Sequence, residues 1–184
     1  MKKFYAWCFL TVAAMFAGGC IFTGGSGKAS AVYDLVPPHH ASAQGLFQVM
    51  AFTNNTAARS RMLYRSEPNR IMQDPGSFWV QAPELMLKRY YSLAFPIRSN
   101  VPAETLVEMR GTVTAFEMDI KCAEAVLAFN YVLRKNNQRE SGTISVREKL
   151  PVINPAGFAD AMSKAADKAG QQLWLAVEKF SKKQ

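Results

Sequence analysis

Apolar and polar residues alternate in three consecutive stretches of the second half of the chain, residues 105–116, 123–134 and 143–150. Alternation with a period of two is typical of β-strands that bury one face. In the first stretch the positions predicted to face the core are Val107, Met109, Gly111, Val113 and Ala115. The polar segment 135–142 is predicted to be a turn. Together the three stretches predict an antiparallel meander.

The first half of the chain predicts shorter strands. They are residues 32–36, 45–53, 61–66 and 69–73. The last two flank Glu67 and Pro68, and this short spacing predicts a tight hairpin. The Asp-Pro-Gly sequence at 74–76 follows and is a strong turn signal, because these residue types favour turn backbone geometry.

Two segments predict helices. Pro83 followed by Glu84 is typical of a helix start, and this helix is predicted to continue to about Ala94. The second begins at Pro155 and has one apolar face about 25 residues long. Its apolar positions are Phe158, Met162, Ala165, Ala169, Leu173, Ala176 and Phe180. Because such a stripe must be buried, we predict an α+β fold, a two-layer sandwich with two main helices packed on a mixed, largely antiparallel sheet. Residues 32–184 would form this single domain.

The N-terminus predicts a secretory signal peptide. Lys2 and Lys3 precede a mostly apolar run, residues 4–16, and the small residues 17–19 lead directly into Cys20. This arrangement resembles a bacterial lipobox, which implies cleavage between Gly19 and Cys20 and lipidation of Cys20. Ala17 stands where the common pattern has Leu. The alternative is an uncleaved anchor over the uncharged residues 4–27, but its five glycines make the apolar part short for a membrane span.

The mature chain would begin at Cys20, with residues 20–31 as a lipidated, flexible tether rich in Gly and Ser. Several acyl chains on one cysteine would anchor it permanently. By analogy with lipoprotein sorting, Ile21 in place of Asp favours the outer membrane. Cys8 leaves with the signal peptide, so Cys122 has no intramolecular partner and is expected to be a half-buried, inert thiol.

The charge balance is basic. The 184 residues carry 22 Lys and Arg against 14 Asp and Glu, a net charge of +8, and loss of Lys2 and Lys3 leaves 20 basic residues and a charge of +6. No basic run exceeds a pair, and an exported chain rarely meets nucleic acid, so we expect no nucleic-acid partner. Anionic lipid headgroups, an acidic partner surface and a merely solvated basic surface stay open.

Motifs for common enzyme chemistry are absent. The sequence has no G-x-S-x-G, no H-E-x-x-H, no dinucleotide fingerprint and no paired C-x-x-C, and the Gly-rich segment 24–28 lacks the strand and spacing of a phosphate loop. His39 and His40 are isolated and are expected to be loop residues. We therefore expect no catalysis, no cofactor and no metal, although a hydrolase with two separated carboxylates stays open.

Several short motifs occur in an order that resembles a known family. They are the lipobox, Tyr33-Asp34-Leu35-Val36-Pro37, the apolar strand at 46–52, Leu63-Tyr64-Arg65, the Trp segment that runs into a Pro-led helix at 78–87, and the closing Ala-rich helix at 158–180. In this order they resemble the ABC-type transport auxiliary lipoproteins, which include the paraquat-inducible protein C lipoproteins. The chain departs from the family between Val49 and Arg61, where members often have a longer stretch.

The resemblance implies an outer-membrane lipoprotein that faces the periplasm. It would be the auxiliary, docking component of an ABC transporter–MCE lipid transport system, with an MCE-domain periplasmic protein as partner and the membrane bound through the lipid anchor. Self-association into a homo-oligomer stays open. The alternative is a lipoprotein that activates a peptidoglycan synthase.

The resemblance does not identify the partner-binding residues. The sequence offers two docking candidates, the exposed side of residues 108–114 and the segment 135–142. Trp79, Trp174 and Phe180 are candidates for a lipid pocket, but helix and strand positions of this kind usually pack in the core.

Overall fold

One mixed sheet of seven strands is covered on one face by two helices in the computed structural model, which describes residues 30–38, 47–97, 102 and 105–183. The strands are β1 Ala31–Tyr33, β2 Phe47–Asn54, β3 Arg61–Glu67, β4 Arg70–Trp79, β5 Val107–Asp119, β6 Glu124–Lys135 and β7 Gln138–Lys149. The helices are α1 Pro83–Ala94 and α2 Pro155–Lys182. The predicted α+β sandwich is confirmed.

The sheet divides at β5. Its order is β1-β4-β3-β5-β6-β7, and β2 also pairs with β5. The first part of β5 pairs in parallel with β2, from Phe47 opposite Val107, and its end pairs in parallel with β3, where Tyr64 lies opposite Met118. The other edge of β5 pairs with β6, and β5, β6 and β7 form the predicted antiparallel meander.

A β-bulge changes the face that β5 turns to the core. Val113 lies opposite Phe129 and Ala115 lies opposite Ala128, so Thr114 is an extra residue on β5. The predicted inward positions are correct as far as Val113. The prediction for Ala115 is wrong, because after the bulge Phe116, 1% exposed, is the next core residue.

The Asp-Pro-Gly sequence at 74–76 does not reverse the chain as predicted, but forms an irregularity inside β4. Leu63 pairs with Gln73 and Arg61 with Phe78, so β4 has three more residues than β3 between these pairs. The turn chemistry is nevertheless present, because Asp74 Oδ1 accepts hydrogen bonds from the backbone N–H of Gly76 (2.7 Å) and of Ser77 (2.9 Å).

The segment after β1 joins the two helices. The predicted strand at 32–36 ends at Tyr33, and Leu35 is buried. Asp34 forms an ion pair with Arg89 of α1, and the N–H of Val36 donates to Ser163 Oγ of α2 at 3.0 Å. This segment therefore fixes α1 against α2.

Two other local predictions are wrong. The segment 135–142 is not a loop, because β7 already begins at Gln138. The connection consists of Asn136 and Asn137 alone, and Asn136 has a φ of 52°. Its polar residues reflect an edge strand with a solvated face. Cys122 is exposed rather than half-buried, because it lies in the turn between β5 and β6, where its N–H donates to Asp119 Oδ1 at 3.0 Å.

Aromatic side chains fill the space between sheet and helices. Trp79, 2% exposed, packs edge-on against Phe116 and Phe158 at ring-centroid distances of 5.1 and 5.3 Å. Trp174 stacks on Phe95 at 6.2 Å, and Phe180 is buried. The three residues considered for a lipid pocket thus belong to the core or its margin. The buried core of the described residues extends from Leu35 to Phe180, with Tyr33 of β1 packed against it.

Gly111 provides a direct test of this packing. A Cβ at Gly111 would lie 2.2 Å from the nearest ring carbon of Phe52, whereas a Cβ at Gly76 would meet no atom closer than 3.7 Å. We expect Gly111→Ala to lower the free energy of unfolding by about 1–3 kcal/mol, because Phe52 must move within a packed core. Urea denaturation measures this, with Gly76→Ala as the control. Equal effects of the two substitutions would contradict the packing of Phe52.

Candidate docking surface

The register of the sheet brings the two predicted docking segments together on the face opposite the helices. Glu108 of β5 lies opposite Arg134 of β6, which in turn lies opposite Arg139 of β7. The segments at 108–114 and 135–142 are thus separated by a single strand, about 10 Å. We call the surface made by Glu108, Arg110, Arg134 and Arg139 the arginine face.

The arginine face has an excess of positive charge. Arg110, Arg134 and Arg139 are exposed, and none of them forms an ion pair within the part of the chain that the structure describes. Glu108 is the one carboxylate of the surface. Arg134 directly opposite Arg139 is a like-charge pair, which destabilises a sheet. Such an arrangement suits an acidic surface that would neutralise it.

At the opposite end of the same sheet face, the arginines are neutralised by ion pairs. Arg65 forms an ion pair with Glu117, with Nη2 3.0 Å from Oε2. Arg147 lies 3.3 Å from Asp119 and 3.2 Å from Glu124. The N–H of Cys122, followed by Arg147, holds the pKa of Asp119 below its usual value, and ion pairs first with Lys149 and then with Arg147 lower that of Glu124. Of the arginines on β5, β6 and β7, those without an ion pair among the described residues are therefore the three of the arginine face.

Tyr64 and Tyr90 act as structural hydrogen-bond donors on the helix side of the sheet. Burial, with the hydrogen bond to Asp74, raises the pKa of Tyr64 well above its usual value, and burial with the hydrogen bond to Asp167 does the same for Tyr90. Both hydroxyls therefore stay protonated at neutral pH. They join β3 to β4 and α1 to α2.

Two surface grooves carry charged residues. One, of about 300 Å³, lies between the segment after β1 and α2, and Asp160 and Asp167 line it. These two positions lie seven residues apart on α2, and the Asp167 carboxylate accepts a hydrogen bond from the Tyr90 hydroxyl. The other, of about 360 Å³, lies beside Arg65, Asp119 and Arg147, whose charges are already paired.

Metal ligands do not gather in the described ranges, where no group of three or more His, Cys, Asp and Glu side chains is placed to hold an ion. Among the helices described, none combines the length and apolar character needed to cross a membrane. Gly19 and Cys20, the predicted cleavage and lipidation residues, lie outside the described residues, as do His39 and His40. The predictions for them stay as made.

Comparison with known proteins yields a fold. No protein-family model matches the chain, and no curated protein matches it. The crystal structure of an uncharacterized protein is similar over 83% of this chain and 99% of its own, with 12% identity and a TM-score of 0.66. A Xanthomonas campestris protein of the family DUF330 is similar over 85% of this chain and 96% of its own, with 17% identity and a TM-score of 0.63.

A third structure, a Caulobacter crescentus CB15 protein named as a candidate lipoprotein, covers 53% of this chain and 82% of its own, with 15% identity and a TM-score of 0.35. The first two structures show the fold alone.

The like-charge pair of the arginine face generates a prediction for stability. We expect Arg139→Glu to raise the free energy of unfolding by about 0.5 kcal/mol, because it places a carboxylate opposite Arg134. Arg139→Gln, which removes repulsion without adding attraction, should lie between the two. Urea denaturation at low and high salt measures both, and the difference should shrink as salt screens it. A destabilising Arg139→Glu would contradict the assigned register.

Proposed function

We propose that this protein is an envelope lipoprotein, anchored through Cys20 in the outer membrane and facing the periplasm. The observation that carries the proposal is the lipobox of residues 17–20. Its Cys20 lies ten positions before Ser30, the first described residue of the folded part. The domain has its own core from Leu35 to Phe180, so it can be carried on a tether as an independent head.

We infer further that the head is the auxiliary docking component of an ABC transporter–MCE lipid transport system and does no catalysis. The motifs that resemble this family have structural tasks in the fold. Asp34 and Val36 join α1 to α2, and Tyr64 and Arg65 bind Asp74 and Glu117. Since these motifs maintain the sandwich rather than line a reaction centre, they support a binding role.

The arginine face is the surface we assign to the partner. It offers unpaired guanidinium groups on a rigid sheet, and Arg side chains are enriched where protein surfaces recognise each other. An acidic patch on the MCE-domain protein would relieve the repulsion between Arg134 and Arg139. Docking to the transport system would thus be favoured by neutralisation of a positive charge that the isolated head leaves unbalanced.

The anchor is tested by comparing the two cysteines of the mature chain. With Cys20→Ala we expect loss of metabolic labelling by an alkynyl fatty acid and accumulation of the unprocessed chain, because diacylglycerol is attached to that sulfur. Cys122→Ala, which removes the exposed thiol of the folded domain, should be labelled and processed like the parent. Labelling that survives Cys20→Ala, or its absence from the parent, would overturn the lipoprotein proposal.

The partner is tested by chemical crosslinking of the lipidated chain in its own envelope, followed by mass spectrometry. We expect an MCE-domain protein, and at least about tenfold less of it with Arg134→Glu combined with Arg139→Glu. This double reversal keeps a like-charge pair and changes only its sign. Lys88→Glu combined with Lys179→Glu makes the same charge change on the exposed sides of the helices and should have no effect.

Recovery of a peptidoglycan synthase in place of an MCE-domain protein would favour the activator alternative. An equal loss of the MCE-domain protein with both double variants would show that overall charge, and not the arginine face, governs the interaction.

A further inference from the structure

Exposed apolar residues gather where the chain enters the fold. Val32 of β1 is 63% exposed and pairs with Phe78 of β4 on the face turned away from the helices. Val80 is 46% exposed, and its N–H donates to the carbonyl oxygen of Tyr33 at 2.8 Å, which holds it beside β1. These residues lie at the edge of the sheet.

Two arginines flank this apolar group. The Arg61 guanidinium lies over the ring of Phe78, 5.3 Å from its centroid. Among the described residues, Arg59 donates to the backbone oxygens of Thr56 and Ala58, each at 3.4 Å. Neither arginine has an ion-pair partner among the residues that the structure covers. We call the surface made by Val32, Phe78, Val80, Arg59 and Arg61 the anchor edge.

Two carboxylates close to the anchor edge in the chain, Asp34 and Asp74, are already engaged, whereas Glu84, four residues after Val80, forms no ion pair among the described residues. Asp34 forms an ion pair with Arg89, and Asp74 accepts hydrogen bonds from Tyr64 and from the backbone of residues 76 and 77. The anchor edge therefore combines exposed apolar side chains with cations that lack counterions. This combination is typical of surfaces that lie in the headgroup region of a membrane.

The length of the preceding chain brings this edge close to the lipid. Ser30, the first described residue before β1, lies ten positions after Cys20. A chain of this length reaches at most about 36 Å and, if flexible, averages roughly 18 Å. The far edge of the sheet, β7, is five strand spacings beyond β1, about 24 Å. The tether therefore holds the β1 edge closer to the membrane than the β7 edge.

We propose that the anchor edge lies against the anionic headgroups of the membrane that holds Cys20, so that the head is oriented and does not hang freely. The proposal rests on the lipidation of Cys20 proposed above. Val32, Phe78 and Val80 would enter the interfacial region, and Arg59 and Arg61 would contact lipid phosphates. The arginine face, on strands further from β1, stays accessible to a protein partner.

The test attaches the protein to a membrane chemically. The mature chain, residues 20–184 with Cys122→Ser, is coupled through the Cys20 thiol to maleimide-bearing lipid in vesicles of phosphatidylcholine and phosphatidylglycerol. Tryptophan is introduced by Val32→Trp or, as matched control on the same sheet face at the far edge, by Thr143→Trp. Quenching by brominated lipids then reports which position enters the bilayer, after subtraction of the parent signal from Trp79 and Trp174.

We expect quenching at least about twofold stronger for Val32→Trp than for Thr143→Trp, with the difference reduced by Arg59→Glu combined with Arg61→Glu or by vesicles of phosphatidylcholine alone. Equal quenching, or stronger quenching of Thr143→Trp, would overturn the proposal, and the latter would assign the membrane contact to the arginine face. If Val32→Trp impairs folding in urea denaturation, Val80→Trp replaces it.

The coupling is chemical, so the result does not depend on whether cells lipidate Cys20. Failure of the lipoprotein proposal is detected separately by the fatty-acid labelling of Cys20→Ala. The two proposals can therefore fail independently.

Discussion

The pairing of β5 with strands on both of its edges is the constraint on which this structure depends. Along one edge β5 accepts first β2 and then β3, and along the other it pairs with β6 for its whole length. The bulge at Thr114 lies at the transition, and it turns Phe116 inward to meet Trp79. Without this single long strand, the N-terminal strands and the C-terminal meander would be two separate sheets, each too small to cover the helices.

The same geometry places the anchor edge and the arginine face at different positions along the sheet. The anchor edge lies at β1 and the arginine face at β5, β6 and β7, so the proposed membrane and protein contacts do not compete for one surface. Between them, Arg65 is paired with Glu117. A head that makes the two proposed contacts, one by an edge and one by a face, needs no pocket for them.

Much of the fold could be predicted from the sequence, since periodicity is a local property. The meander, the 61–73 hairpin, both helices and the α+β class followed from it. What depended on pairing between distant residues could not be predicted. The bulge at Thr114, the continuation of β4 through Asp74, and the placement of Arg134 opposite Arg139 are all set by register. The sequence offered both segments as docking candidates, but only the register shows that they form one surface.

The parallel pairings also determine when the fold can be completed. Phe47 of β2 meets Val107 and Tyr64 of β3 meets Met118, partners more than fifty residues later in the chain. Such contacts form slowly, because the closure entropy of a long loop must be overcome first. In a chain that crosses a membrane N-terminus first, β1 to β4 and α1 emerge with apolar faces that have no sheet to join until β5 arrives. For a chain exported as proposed above, the division of the sheet at β5 predicts that the N-terminal half requires chaperones until β5 follows.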